Sequence, residues 1–211
     1  MSSIVTVVDY GRGNLFSLSR ALEHLGASAK VTSDPAEVAA AERLILPGVG
    51  AFGDGMENLR ARGLVESVQR YAASGRPLLG ICLGMQLLLD ESDEFGSHRG
   101  LGIVPGRVTR FADSPERSWK VPHVGWSRLT GSTGWKGSAL APLPEGERMY
   151  FVHSYHAVPV EPFLVDAVAQ YGRLSLTAAV GIDNVFAVQF HPEKSQRAGL
   201  ALLRAFLDWK C

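Results

Sequence analysis

The chain has 211 residues, enough for one sizeable hydrophobic core, and we expect a single domain over residues 1–211. Its 21 basic and 21 acidic side chains leave a formal net charge of zero, which argues against nucleic acid or an anionic membrane as a partner. Cys82 and Cys211 are too few for a disulfide scaffold, no secretory signal opens the sequence, and no apolar run approaches the roughly 20 residues that cross a bilayer. We therefore expect a cytoplasmic protein in which Cys211 is an incidental thiol.

The first half of the sequence alternates apolar, β-branched runs with amphipathic stretches. Strands are predicted at residues 4–8, 28–31, 44–46 and in the run that follows Pro77. Helices are predicted over residues 15–25, over residues 34–41 with Asp34 as N-cap, and over residues 56–73 with a break near Gly63. This alternation predicts an α/β fold with an open, mostly parallel sheet flanked by helices.

The second half of the sequence has a different pattern. The acidic segment 90–94 is expected to be a solvated surface loop. Short strands with Gly, Pro and Ser turns between residues 119 and 171 predict an antiparallel layer added to the sheet. A leucine- and alanine-rich helix is expected from about Gln196 to Trp209, packed on the sheet.

Neither a cofactor nor a metal is predicted. Residues 9–14 lack the complete Gly-x-Gly-x-x-Gly pattern, and residues 131–138 have the wrong spacing for a phosphate loop and are expected to form a surface loop. His153 and His156 are three residues apart on a strand-like segment, which predicts that they point to opposite faces. No cysteine or acid joins them at metal-ligand spacing.

The segment that points most directly to chemistry is GICLG at residues 80–84, which interrupts a buried apolar run. Glycines on both sides of a central residue allow a sharp strand-to-helix turn that exposes its side chain, as in a nucleophile elbow. Cys82 would then lie at a helix N-terminus, where unpaired N–H groups favour the nucleophilic thiolate. The alternative is an inert buried cysteine, a common environment for this residue type.

A second segment supplies a base. The strand predicted over residues 185–190 ends in His191-Pro192-Glu193, and strand ends are where α/β sheets collect catalytic groups. A lone histidine there is more often a surface residue, but Glu193 follows across a proline that stiffens the turn. His191 can accept the thiol proton and later protonate a leaving amine, while Glu193 orients the imidazole. The two segments together favour a Cys82-His191-Glu193 triad.

The GICLGMQ segment at residues 80–86 and HPE at residues 191–193 resemble the class I, triad-type glutamine amidotransferases, and the likeness covers essentially the whole chain. The resemblance implies a flavodoxin-like sheet and hydrolysis of glutamine through a cysteinyl thioester, with ammonia delivered to a synthase. It also implies an oxyanion strand at residues 47–50, where two glycines otherwise form a simple turn. Val49 or Gly50, with the N–H of Leu83, would stabilise the oxyanion, each donor contributing about 3 kcal/mol at the transition state.

Further segments, at residues 9–14, 122–126 and 150–155 and at Lys194, resemble the glutaminase subunits of imidazole glycerol phosphate synthases. Ser127 and His156 depart from that pattern, where Asn or Asp and Tyr are common, which bears on the partner interface rather than on the triad. The resemblance implies that glutamine is held by Gly50, Leu83, Gln86, Ser154 and Tyr155. It implies that the partner faces Asn14, Trp126, Tyr150 and Lys194.

The implied partner is a (β/α)8 cyclase subunit in a heterodimer, which would use the ammonia to form imidazole glycerol phosphate and an aminoimidazole carboxamide ribotide in histidine biosynthesis. We expect the isolated chain to be nearly silent, because a partner that reorients an oxyanion donor would prevent waste of glutamine. Three alternatives stay open: a glutaminase serving anthranilate or pyridoxal phosphate synthesis, a stand-alone cysteine hydrolase or peptidase, and a catalytically dead scaffold.

Overall fold

The computed structural model describes residues 4–111, 119–131 and 138–210. The strands are β1 (Ile4–Val8), β2 (Ser28–Thr32), β3 (Leu44–Leu46), β4 (Leu78–Ile81), β5 (Leu89–Ser92), β6 (His98–Arg99), β7 (Val104–Arg110), β8 (His123–Gly131), β9 (Arg148–His153), β10 (Tyr155–Pro159), β11 (Val165–Tyr171), β12 (Leu174–Ile182) and β13 (Val185–Val188). The helices are α1 (Leu15–His24), α2 (Pro35–Ala40), α3 (Phe52–Ala61), α4 (Leu64–Ala72), α5 (Leu83–Leu87) and α6 (Gln196–Asp208). Most of the surface loop predicted at residues 131–138, and Cys211, lie outside the described ranges.

The predicted α/β fold is confirmed. One nine-stranded sheet has the order β2-β1-β3-β4-β13-β12-β11-β8-β9, parallel from β2 to β13 and antiparallel beyond it. The antiparallel strands therefore continue the parallel sheet, while a second, four-stranded sheet has the order β10-β7-β5-β6. Strand β4 lies between β3 and β13, with Gly80 opposite Leu46 and Ile81 opposite Val188, so the carboxyl ends of these central strands lie side by side.

Local sequence signals explain where the helices begin and end. The side chain of Asn14 accepts a hydrogen bond from the N–H of Ser17 at the start of α1, and that of Asp34 accepts one from Ala36 at the start of α2. The helical stretch predicted over residues 56–73 is two helices, and Gly63 separates them in a left-handed conformation at φ +66°.

Both faces of the parallel sheet are covered. Leu79 and Ile81 of β4 belong to one buried cluster, which α1 and α6 share, whereas Leu78 belongs to a second cluster with α3 and α4. Burying one such side chain contributes about 1.5–3 kcal/mol. The strand that carries the predicted nucleophile is therefore fixed from both sides.

The expectation of a solvated acidic loop at residues 90–94 is only partly confirmed, because Asp90, Glu91 and Asp93 are exposed but the segment is not a simple loop. Part of it forms β5, which pairs with β7, and Ser92 and Glu94 are buried. The carboxylate of Glu94 accepts a hydrogen bond from the N–H of Phe52 at 2.6 Å, at the start of α3, where Ala51 offers no side-chain cap. A helix N-terminus has unpaired N–H groups that attract an anion, so this distant glutamate caps the helix instead of facing water.

The two histidines expected on opposite faces of one strand lie on two strands instead. His153 ends β9 in the large sheet and His156 is in β10 of the small one, and both rings contact Phe111, at 4.9 and 5.6 Å between centroids. Strand alternation fails here because the chain changes sheets at Ser154. Within the described ranges, no three His, Cys, Asp or Glu side chains gather as metal ligands. No helix of the described chain is both long and apolar enough to cross a membrane.

Candidate active site

Cys82 forms a sharp turn between β4 and α5. Its backbone has φ +54° and ψ −110°, a conformation that residues other than glycine rarely adopt and that costs about 1–3 kcal/mol. The turn is held by the Cys82 N–H, which donates to the carbonyl of Val188 at 2.8 Å. A Cβ at position 84 would lie 1.8 Å from the carbonyl oxygen of Leu46, so only glycine fits there. The strained, tightly supported geometry is that of the predicted elbow.

His191 and Glu193 form a buried pair beside this turn. The imidazole Nδ1 lies 2.8 Å from a carboxylate oxygen of Glu193, and both side chains are almost fully buried. Glu193 therefore accepts from the Nδ1–H, which leaves Nε2 for Cys82. Burial acts to lower the pKa of His191, but the neighbouring Cys82 sulfur and Glu193 carboxylate outweigh it and raise the pKa above 6.5. The site favours an imidazolium beside the sulfur.

A buried hydroxyl fixes the backbone that carries His191. The N–H of His191 donates to the carbonyl of Tyr150 at 2.9 Å, and the hydroxyl of Ser195 donates to the carbonyl of His191 at 2.7 Å. The same hydroxyl accepts a hydrogen bond from the N–H of Tyr150 at 3.0 Å. His191 is thereby tied directly to β9, where Tyr150 was predicted to face a partner.

Cys82 and His191 open into a cavity of about 350 Å³. All five residues predicted to hold glutamine line it, and they come from three separate segments: Gly50, Leu83, Gln86, Ser154 and Tyr155. Val49, Glu94, Pro122, Val152 and His153 complete the lining. The structure thus brings the predicted nucleophile, base and substrate-binding residues into one cavity large enough for a small substrate.

The predicted oxyanion donors point away from a common acceptor in this structure. The N–H of Val49 donates to the carbonyl of Arg12 at 3.2 Å, and the N–H of Leu83 donates to the carbonyl of Gly48 at 3.3 Å. Both donors are therefore engaged by backbone carbonyls. Turning the peptide between Gly48 and Val49 would release both hydrogen bonds at once.

Three of the four predicted partner-facing residues form one patch. The rings of Trp126 and Tyr150, on paired strands β8 and β9, meet edge to face at 5.9 Å, and the ammonium of Lys194 lies 5.9 Å from the centre of the Tyr150 ring. Trp126 is 42% exposed, and Val124 beside it on the same strand face is 55% exposed. Asn14 lies apart from this patch, in a narrow cleft shared with Glu193.

Sequence reasoning missed several residues of the site. Gln189 is fully buried, and its amide nitrogen lies 3.7 Å from the sulfur of Cys82. Its position two residues before His191 in an extended segment was a usable signal, because such residues share a face. Tyr10 is buried with its hydroxyl against Gly48 and without a hydrogen-bond partner within the described ranges. Burial, followed by the charge of Cys82, raises the pKa of Tyr10 well above 10.0.

Comparisons with known protein sequences all identify the same family. The sequence profile of glutamine amidotransferase class-I matches residues 6–209. The imidazole glycerol phosphate synthase subunit HisH of Syntrophotalea carbinolica is 52% identical over 208 residues, covering 97% of this chain and 100% of the relative. The same subunit from Geobacter sulfurreducens is 46% identical over 209 residues, covering 98% and 99%. The structure of PurLQS from Thermotoga maritima has the same fold, with a TM-score of 0.74 at 18% identity and 99% coverage of each chain.

Proposed function

Because this chain belongs to the class I glutamine amidotransferases, and among them to the HisH subunits of imidazole glycerol phosphate synthase, we propose that it releases ammonia from glutamine for that synthase. One observation carries the proposal. The elbow cysteine Cys82 faces the same cavity as His191, and the imidazole of His191 is hydrogen-bonded to Glu193 behind it. A nucleophile, a base and an orienting acid are the groups that amide hydrolysis through a covalent intermediate requires.

The proposed reaction has two stages, formation of a thioester on Cys82 and its hydrolysis, and His191 transfers protons in both. The Cys82 thiol gives its proton to Nε2 of His191, and the sulfur attacks the side-chain carbonyl carbon of glutamine. The tetrahedral intermediate collapses, the C–N bond breaks, and His191 returns the proton to the leaving amine as ammonia. Water then attacks the thioester with His191 as base, which releases glutamate and restores the thiol. A positioned acid–base group contributes about 10²–10⁴-fold in rate, and Glu193 keeps the imidazole in the required tautomer.

The oxyanion of that intermediate needs donors, and the engaged N–H groups of Val49 and Leu83 support a partner-gated site. In the proposed active state, the peptide after Gly48 turns so that the Val49 N–H, or that of Gly50, faces the oxyanion together with the freed Leu83 N–H. Gly50 has φ +104° and Gly48 carries no side chain, so the turn between them has the backbone freedom that such a rearrangement needs. The partner would supply the differential contact that favours this state.

Glutamine binding is proposed at the five cavity residues Gly50, Leu83, Gln86, Ser154 and Tyr155. Gln86 supports this assignment most directly. Its amide nitrogen donates to the carbonyl of Tyr155 and to the side-chain oxygen of Gln189, each at 3.0 Å. Both N–H groups are thus used, and the amide oxygen is left as an acceptor for the cationic or amide end of the substrate.

The proposed partner surface consists of Trp126, Tyr150 and Lys194, together with Asn14 in the cleft that it shares with His191 and Glu193. An exposed indole beside a tyrosine matches the aromatic enrichment of protein–protein interfaces, and Lys194 adds a positive charge to the patch. We propose a (β/α)8 cyclase subunit as the occupant, which would use the ammonia to form imidazole glycerol phosphate and an aminoimidazole carboxamide ribotide in histidine biosynthesis. We place this single-domain chain in the cytoplasm, where a reducing environment keeps Cys82 as a free thiol.

Substitution of the nucleophile tests the proposal. In a reconstituted pair, Cys82→Ser should abolish synthesis driven by glutamine but leave synthesis driven by ammonium salts close to the parent rate, because the cyclase needs only ammonia. Loss of both activities would mean that Cys82 is structural. Glutamine-driven synthesis that survives the substitution would remove Cys82 from the mechanism, and cleavage of peptides without a partner would favour a hydrolase.

A further inference from the structure

A buried hydrogen-bond chain ends on the sulfur of Cys82. The amide nitrogen of Gln189 lies 3.7 Å from that sulfur, its amide oxygen accepts from Gln86 at 3.0 Å, and Gln86 also donates to the backbone carbonyl of Tyr155 at 3.0 Å. Gln189 is 0% exposed and Gln86 5%. The contact between the two glutamine side chains is therefore shielded from water, and its polar atoms depend on their protein partners.

The direction of every hydrogen bond in this chain follows from one backbone atom. A carbonyl oxygen can only accept, so Gln86 must present its nitrogen to Tyr155 rather than its oxygen. The second N–H of Gln86 then requires an acceptor, which fixes the oxygen of Gln189 toward Gln86. The Gln189 nitrogen is consequently fixed toward Cys82. Exchanging oxygen and nitrogen at either glutamine would place two acceptors or two donors against each other.

The anchoring carbonyl is itself held from the other side. Nδ1 of His153 donates to the carbonyl of Tyr155 at 2.8 Å, and Nε2 of His153 lies 3.3 Å from Nδ1 of His123. The hydroxyl of Ser127 lies 3.0 Å from the remaining nitrogen of His123. Both imidazoles are therefore neutral donors and acceptors in a series that ends at Ser127, and the carbonyl that sets the orientation of Gln189 is fixed in position.

We propose that Gln189 is a further catalytic residue, whose amide N–H stabilises the Cys82 thiolate and aims it at the substrate carbonyl. A donor to sulfur strengthens when the sulfur becomes an anion, so this contact favours the nucleophilic form. After the thiol proton moves to His191, the sulfur has an imidazolium on one side and the Gln189 amide on another. Gln86, which also lines the substrate cavity, connects glutamine binding to the orientation of that amide.

The inference rests on the proposed function, since it takes Cys82 as the nucleophile, but its test needs neither glutamine nor a partner. In a Cys211→Ser background, Cys82 is the only cysteine in the sequence, and its alkylation rate by iodoacetamide can be followed against pH. Among the described residues, the ionisable groups around it are His191 with its partner Glu193, and Tyr10, Glu94, His153 and Tyr155. Glutamine and leucine are both uncharged, so a changed profile in Gln189→Leu reports the lost hydrogen bond and not a changed charge.

Gln189→Leu should move the midpoint of alkylation upward by about one pH unit, the equivalent of about tenfold in thiolate population. Gln189→Glu should move it further, because a carboxylate replaces the donor. Gln69→Leu is the matched control: that amide donates to the carbonyl of Leu101 at the opposite end of β4 and should leave the profile unchanged. In the complex, Gln189→Leu should lower kcat about tenfold with a much smaller change in KM.

Parent-like alkylation midpoints in both folded Gln189 variants would overturn the proposal, even if kcat fell, because the role would then be structural. If the variants fail to fold, the parent protein answers the question by NMR. The side-chain amide resonances of Gln189 should shift with the same midpoint as alkylation, and resonances that do not change with pH would contradict the contact. If the parent chain showed no glutaminase activity with its partner, while the Gln189 variants still gave the expected shift in the alkylation midpoint, the result would count against the proposed function alone.

Discussion

The backbone N–H of Val49 donates a hydrogen bond to the carbonyl oxygen of Arg12 at 3.2 Å, which joins the turn after β3 to the loop after β1. The Arg12 guanidinium lies 2.8 Å from the carboxylate of Asp54, at the start of α3. Asn14, which is proposed to face the cyclase, follows in the same loop. A partner that moves this loop would act directly on the proposed oxyanion donor Val49, which is the route from binding to activation that we propose.

Val49→Pro tests which backbone donor serves the oxyanion. Proline has no N–H, so if Val49 supplies the donor, kcat of the activated complex should fall about 10²–10³-fold. Val49→Ala keeps the N–H and should stay within about threefold of the parent. Steady-state glutamate release in the complex measures both variants. A Val49→Pro protein that folds and retains full kcat would assign the role to Gly50 instead.

Glu193→Gln tests the carboxylate of the triad. Because Glu193 helps to raise the pKa of His191, removing its charge should lower that pKa. The alkaline limb of the kcat/KM profile should therefore move to lower pH by about one unit, with kcat reduced by roughly 10–100-fold. Glu57→Gln, at an exposed position on α3, is the control. An unchanged alkaline limb in Glu193→Gln would show that the carboxylate does not act on the imidazole.

Lys194→Ala tests the proposed partner patch. Its ammonium lies against the Tyr150 ring, so its loss removes a charge and a packing contact from the centre of the surface. Affinity for the cyclase subunit should fall about tenfold, or more at low ionic strength. Lys30→Ala is the matched control, because Lys30 is on β2, at the opposite edge of the nine-stranded sheet. Calorimetric titration that gives equal affinity for both variants would place the interface elsewhere.

The buried pair His123 and His153 predicts a loss of stability in acid. Burial lowers the pKa of His123 to about 4 and that of His153 to about 3, from 6.5. As pH falls from 6.5 toward 4, the unfolded chain binds protons that the folded chain does not, so the free energy of unfolding decreases. The expected loss by pH 4.5 is about 2 kcal/mol for each histidine, or about 4 kcal/mol for the pair. His191 is protonated in the folded chain throughout this window and changes the balance by less than about 0.5 kcal/mol.

Urea unfolding at pH 6.5 and pH 4.5 measures this dependence. His123→Gln should be less stable at both pH values but should lose less free energy between them than the parent does. His24→Gln, at an exposed position on α1, should keep the parental dependence. Equal acid losses in the parent and in His123→Gln would contradict neutral, buried histidines as the cause.

Much of the fold followed from local sequence. Apolar runs gave the central strands, Gly63 gave the break between α3 and α4, and the family predicted from residues 80–86 and 191–193 is confirmed by the profile match and the relatives. The Cys82 elbow was predictable because only glycine fits at position 84. The break at Gly63 depends on the backbone of that residue alone, whereas the need for glycine at position 84 comes from the Leu46 carbonyl on the neighbouring strand β3.

Other features depend on contacts between distant segments and had no local signal. The charge of Glu94 predicts a solvated side chain. The side chain is buried instead because it caps the N-terminus of α3 at Phe52, 42 residues away in sequence. The direction of the Val49 N–H could not be predicted, since a turn with glycine on both sides of that residue permits several backbone orientations. Gln189 lies against Cys82 only because β4 and β13 pair, a contact between segments that are far apart in the sequence.

The central claim, a glutaminase that its partner activates, is tested most directly by glutamate release from glutamine. The rate should be measured for this chain alone and for the chain with a cyclase subunit and its nucleotide ligand, with Cys82→Ser as the blank. With the Val49 and Leu83 N–H groups engaged by carbonyls, we expect a very low rate alone and an increase of about 10²-fold or more in the liganded complex. Equal rates with and without the liganded partner would contradict the account.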